Sequence, residues 1–205
     1  MKTLKESILS STKTGKKAFY TLFPEDKKDL FNMINKEIRE KGNNCNLNHI
    51  DTSKITDMSG MFYNSKFNGD ISNWDVSKVT DMESMFENSK FNGDISKWDV
   101  SKVENMKLMF WKSKFKGNKK GGISEWNVGK VENMWGMFAY SKFNGDISKW
   151  DVSNVTNMSR MFKENTEFDS DISNWKVNPD CKTDNMFYFC FIEEKYKPFQ
   201  NGKRI

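Results

Sequence analysis

The segment FNGDISNWDVSKVTDMESMF, residues 67–86, returns almost unchanged as FNGDISKWDVSKVENMKLMF, residues 91–110. Tryptophans mark the period. Trp74, Trp98, Trp126, Trp150 and Trp175 are separated by 24, 28, 24 and 25 residues, the 28 coming from four extra residues in KGNKKGGISEW. Ile71, Ile95, Ile123, Ile147 and Ile172 keep the same step, as do Phe67, Phe91, Phe115, Phe143 and Phe168. Met–Phe pairs extend it from Met61–Phe62 to Met186–Phe187. A unit this short cannot bury a core alone, because only a neighbouring unit can cover its apolar edge. The repeat therefore predicts about six coils stacked on one another. It also explains how a chain that is only 36% hydrophobic can fold: the apolar residues recur at fixed intervals.

Within one unit, ISNWDVS alternates apolar residues at Trp74 and Val76 and predicts a short strand. TDMESMF spaces Met82 and Met85–Phe86 three to four apart and predicts one helical turn, capped by Thr80 or Asp81. FNGD reads as a corner in which Gly69, Gly93 and Gly145 supply a permissive backbone. Upstream, FPEDKKDLFNMINKEIREKGNN predicts a helix from about Pro24 to Glu40, with Leu30, Ile34 and Ile38 on one stripe and Gly42–Asn43 ending it. The expected organisation is a flexible basic segment at 1–20, a capping helix within 21–46, the repeats at 47–190, and a C-terminal cap or tail at 191–205.

The run Trp74-Asp75-Val76-Ser77-Lys78-Val79-Thr80-Asp81-Met82 through Met85–Phe86, repeated from Trp98, Trp126 and Trp150, resembles the bacterial surface-protein repeats of about 25 residues. These are relatives of the BspA-like leucine-rich repeats and occur in bacteria, phages and some large viruses. The resemblance implies a right-handed solenoid with strands along one face, and no single activity. The expected fold is thus a leucine-rich-repeat-like solenoid of strand-plus-helical-turn coils behind an N-terminal capping helix.

No stretch is long and apolar enough to span a bilayer, and the basic N-terminus lacks a continuous hydrophobic segment of the secretory kind. Cys45, Cys181 and Cys190 are odd in number and off the repeat, which favours a reducing setting, cytoplasmic or, for a phage-encoded protein, the virion or host cytoplasm, with a surface location as the alternative. His49 is the single histidine, and no phosphate loop or calcium loop is present, so neither catalysis nor a cofactor or metal is expected. The recurring Asp70, Asp75, Asp94, Asp99, Asp146 and Asp151 follow the period and read as turn-forming acids. Of the net charge of +5, residues 1–46 hold 10 basic and 6 acidic residues, so the repeats are nearly neutral.

The variable positions carry the functional expectation. Tyr63, Trp111, Trp135 and Tyr140 fall in slots that elsewhere hold charged or small residues. They read either as contact residues for a partner or as local packing against the insertion at Gly117–Lys120. Lys78 and Lys102 share one repeat position, and Lys90 and Lys114 another. Such columns are either solvated or offset by an anionic partner. The expected function is a noncatalytic protein-binding or adaptor module, monomeric or a small oligomer, that meets an unidentified protein through these positions on the solenoid. The alternatives are a structural, self-associating role or weak binding of nucleic acid or another polyanion through the lysine columns, with Lys13 to Lys17 as a tether.

Overall fold

The computed structural model describes residues 9–11, 17–117 and 122–205. The tether at Lys13–Lys16 and most of the insertion after Gly117 lie outside them. Regular elements are few: β1 (Leu9–Ser11) pairs antiparallel with β2 (Lys17–Phe19), α1 spans Lys27–Lys41, and β3 (Phe199–Gln200) pairs antiparallel with β4 (Lys203–Arg204) after a short 3-10 turn at Glu194–Tyr196.

Helix α1 starts later than Pro24. The side chain of Asp26 accepts the Asp29 N–H at 2.9 Å, satisfying a donor of the first turn, and Gly42 closes the helix at φ +86° while donating to Ile38 O at 2.8 Å. Leu30 and Ile34 enter the core, and Glu37 sits on the same face, bound by Lys41 Nζ at 2.5 Å and by His49 Nε2 at 3.0 Å. Lys27 Nζ reaches Asp57 Oδ1 at 3.0 Å and Ser59 Oγ, tying the start of the helix to the first repeat.

Among the described residues, the repeats themselves contain neither helix nor strand ladder. Where strands were expected, the backbone turns: Trp98 N–H donates to Ile95 O and Val103 N–H to Val100 O. Where a helical turn was expected, three overlapping turns stand instead, closed by Met85 to Met82, Glu87 to Ser84 and Ser89 to Phe86, with Ser84 and Asn88 at φ +55° and +52°. A right-handed helix needs negative φ throughout and bonds four residues apart. The leucine-rich-repeat-like right-handed solenoid of strand-plus-helical-turn coils is therefore overturned. Among the described residues α1 is the one α-helix, and the strand pairs are the two small antiparallel ones, outside the repeats.

What repeats is the turn. Neighbouring segments meet through single parallel bridges, Asp57 to Asp81, Asp81 to Asn105, Asn105 to Asn133, Asn133 to Asn157 and Asn157 to Lys182. Phe62, Phe86, Phe110, Phe138, Phe162 and Phe187 form one file of stacked rings, with successive centroids 5.4–5.7 Å apart. A second file runs from Phe67 to Phe168. Each buried indole donates to a carbonyl of the preceding segment: Trp74 Nε1 to Leu47 O at 3.1 Å, and the later ones to an isoleucine, as Trp98 Nε1 does to Ile71 O at 3.2 Å and Trp126 Nε1 to Ile95 O at 3.1 Å. The recurring acids hold turns: Asp70 accepts from Ser72 N–H at 2.9 Å, and Asp75, Asp94, Asp99, Asp146 and Asp151 accept likewise from the residue two ahead. Gly69 is required for close approach rather than for a positive φ, since a Cβ there would lie 1.9 Å from Cys45 O.

Two outcomes follow from this packing. Trp98→Phe removes the indole N–H bond to the Ile71 carbonyl, which keeps the Trp74 N–H, and equilibrium urea unfolding should show a loss of about 0.5–1.5 kcal/mol from that bond. Burial raises the pKa of the Glu37 carboxyl, but Lys41 and His49 outweigh that and hold it below its ordinary value; Asp57 is held low in the same way by Ser59 and Lys27 against its burial. A depressed carboxylate stabilises above its unfolded pKa and loses that contribution as pH falls through the folded value. The protection factors of the α1 amides, taken relative to intrinsic exchange at each pH, should therefore fall ahead of those around the Phe files as pH drops below the ordinary carboxylate range, and Glu37→Gln should already show the lower protection at neutral pH.

Candidate functional site

The Met–Phe side of each segment has a single hydrogen-bond polarity. Met82, Ser84, Phe86 and Asn88 donate their N–H groups to the carbonyls of Asn105, Lys107, Met109 and Trp111 at 2.9, 2.9, 2.9 and 2.6 Å. The same register joins Met58–Asn64 to the second segment and carries on to Met158, Arg160, Phe162 and Glu164, which donate to Lys182, Asp184, Met186 and Tyr188 at 2.8–2.9 Å. Two left-handed residues per segment allow alternate N–H groups to point one way: Gly60 and Asn64, Ser84 and Asn88, Leu108 and Lys112, Gly136 and Tyr140, Arg160 and Glu164, Asn185 and Phe189. Carbonyl and amide of the same peptide unit bond in opposite directions, so four columns of aligned peptides run through the repeats.

The columns end unequally. Their carbonyl end, at Asp57, Ser59, Met61 and Tyr63, lies at the first segment, where α1 packs and Lys27 binds. Their amide end consists of Thr183, Asn185, Phe187 and Phe189, whose N–H groups find no acceptor among the described residues. The C-terminal tail covers the other half of this segment: Gln200 Nε2 donates to the carbonyls of Asn178 and Cys181, and Phe199 bridges Lys176. Beside the open amides stand the exposed rings of Tyr188 (49%), Phe189 (57%) and Phe191 (70%).

The residues expected from the sequence lie elsewhere. Tyr63 is exposed on the first segment. Trp111 meets Trp135 edge to face at 6.3 Å and Tyr140 at 6.0 Å. Own cations lie over these rings: Lys112 over Trp111 and Tyr140, Arg160 over Trp135, and Lys163 over both Tyr140 and Tyr188. Lys78, Lys90, Lys102 and Lys114 are exposed, and no ion pair among the described residues holds them. Burial pushes the thiols of Cys45, Cys181 and Cys190 up, and all three are unpaired. Among the described residues no cluster of His, Cys, Asp or Glu is arranged to hold a metal ion, and no helix is long and apolar enough to cross a membrane.

The model for "Mycoplasma protein of unknown function, DUF285" matches residues 28–120 and 112–194. The chain belongs to this DUF285 family. No curated protein and no solved structure matches it. Membership in DUF285 replaces the resemblance to BspA-like leucine-rich repeats, and the turn-built segments remove the fold on which it rested. The expected mode of action falls with them: an adaptor recognising partners through variable positions of a solenoid, or its alternatives of self-association and polyanion binding along lysine columns, has no such surface to act through. In this DUF285 chain the aromatic and cationic side chains gather in a local cluster instead. A double-mutant cycle on Trp111→Ala and Trp135→Ala should return a coupling of about 0.5–1.5 kcal/mol in unfolding free energy, the signature of a ring pair that packs on itself.

Proposed function

We propose that this protein is a noncatalytic partner-binding protein whose contact surface is the uncovered edge of its last repeat. The carrying observation is the run Tyr188, Phe189 and Phe191, three large exposed rings within four residues, beside backbone amides without acceptors. Exposed aromatic clusters of this kind mark sites of protein association, because rigid rings bury much area at small entropic cost. The tail leaves this half of the edge open while it satisfies the other half. The partner is a polypeptide, and the protein acts as a monomer or small oligomer, since α1 closes the opposite end. Three unpaired cysteines favour a reducing, cytoplasmic setting.

A photo-crosslinking residue at Phe191, expressed in the cells that make the protein, should capture one discrete polypeptide. The same probe at Phe31, an exposed ring on α1, should not. Adding Tyr188→Ser and Phe189→Ser to the Phe191 probe should abolish the adduct while leaving the unfolding midpoint within about 0.5 kcal/mol of the parent. An adduct that survives both serines would place the contact elsewhere.

A further inference from the structure

We propose that the open edge recognises an acidic, extended polypeptide segment, whose side-chain carboxylates are taken by the N–H groups of Thr183, Asn185, Phe187 and Phe189. This rests on the polypeptide-binding function assigned above and names the chemistry of its partner. The first ground is the polarity of the edge. Each column carries its peptide dipole through five hydrogen bonds in series, from Met58 to Asp81, Met82 to Asn105, Met106 to Asn133, Met134 to Asn157 and Met158 to Lys182 in the first of them. Aligned peptide dipoles place positive charge at their amide end, as they do at a helix N-terminus. Four columns end here side by side.

The second ground is independent of the first. At the bridge position every earlier repeat has an acceptor that binds the N–H two residues on: Asp57 to Ser59, Asp81 to Glu83, Asn105 to Lys107, Asn133 to Trp135 and Asn157 to Ser159. In the last repeat that position is Lys182, whose exposed, cationic side chain has no acceptor to offer. The substitution removes an internal acceptor, leaves the Asp184 N–H without one, and adds positive charge to an end that is already positive. Lys163, over the Tyr188 ring, adds another cation; Asp184 is the acid that opposes them.

An ordinary β-strand is a poor occupant. The edge of a strand offers N–H and C=O groups together, so half its polar groups would meet amides here. A small oxyanion satisfies one or two of four donors set in a line and leaves the rings of Tyr188, Phe189 and Phe191 uncovered. Carboxylates spaced along an extended chain reach the amides in turn, and the chain's apolar residues cover the rings. A single-stranded nucleic acid shares the charge and can stack bases on the rings, so it is the competitor that the test includes.

Isotope-labelled full-length protein should be titrated, with amide shifts followed by NMR, against hexaglutamate, hexaglutamine, inorganic phosphate and a short single-stranded oligonucleotide. Hexaglutamate should shift the amides of Thr183, Asn185, Phe187 and Phe189, with affinity falling several-fold as salt rises from about 0.05 to 0.3 M. Asp184→Asn should tighten it about threefold and Lys182→Asn weaken it by a similar factor. No shift with hexaglutamate, an equal response to hexaglutamine, an equal response to phosphate (an adventitious ion only), or tighter binding of the oligonucleotide would each overturn the proposal. The crosslink at Phe191 separates the two claims. An adduct without hexaglutamate binding retires the acidic chemistry alone, and hexaglutamate binding without an adduct retires the partner function alone.

Discussion

On its Met–Phe side, every described segment from Met58 to Glu164 is held to the next by four peptide columns whose amides face the same way, flanked by bonds such as Thr80 N–H to Thr56 O that run back. That one-way register is the constraint from which the rest follows. It demands two left-handed residues per segment, many of them not glycine: Leu108, Lys112, Tyr140, Arg160 and Glu164 all sit at φ between +52° and +61°. Such a conformation costs roughly 1–2 kcal/mol per residue. The hydrogen bonds return about 1 kcal/mol each, so two strained residues and four bonds per segment leave little margin. The margin comes from the rings. A buried Phe contributes about 1.5–3 kcal/mol, and each interior segment adds one to each file, along with an indole whose N–H is bonded.

The period, the residues of the core and the place of the helix were legible in the sequence, because burial acts on side chains and their spacing is written in the letters. The local conformation was not. Met82, Met85 and Phe86 are spaced as on a helix, but three successive turns space them equally well. The signal that separates the two is the pair of left-handed columns. Gly60, Asn64, Asn88, Gly136 and Asn185 are the residue types that accept positive φ, and each falls at one of the two left-handed positions, four apart, of its segment. The glycines of the FNGD corner pointed to backbone freedom, whereas Gly69 answers to the carbonyl of Cys45 pressed against it.

The candidate site was half legible by the same measure. The slot that holds Tyr63, Glu87, Trp111, Ala139 and Lys163 was visible as variable, and its last member is Tyr188. The sequence pattern drew attention to Trp111, Trp135 and Tyr140, and these three lie against one another. What no pattern of letters shows is which ring has a neighbouring segment beside it. Tyr188 and Phe189 occupy the same repeat positions as Trp111 and Lys112, and the Tyr188 amide bonds Asn185 O as that of Trp111 bonds Leu108 O, yet among the described residues no carbonyl takes the Phe189 amide as that of Ala139 takes the Lys112 amide.

An array of one-way columns cannot end neutrally, since it has a carbonyl face at one end and an amide face at the other. At the carbonyl face the chain supplies α1 and a lysine, Lys27, whose positive charge suits the negative end of the dipoles. The analogous remedy at the amide face would be an acid or an acceptor at residue 182, as all five earlier repeats have at that position. The chain has a lysine there. The tail shows that covering backbone at this end is within its means, because Gln200 alone binds three carbonyls of the last segment and Tyr196 O takes the Ile172 amide. It leaves the four column amides open. Two ends so differently treated are not the outcome of a general need to cap a stack of repeats. The covered end is accounted for by stability, and the uncovered one, positive and lined with rings, is the edge on which the proposed acidic partner would rest.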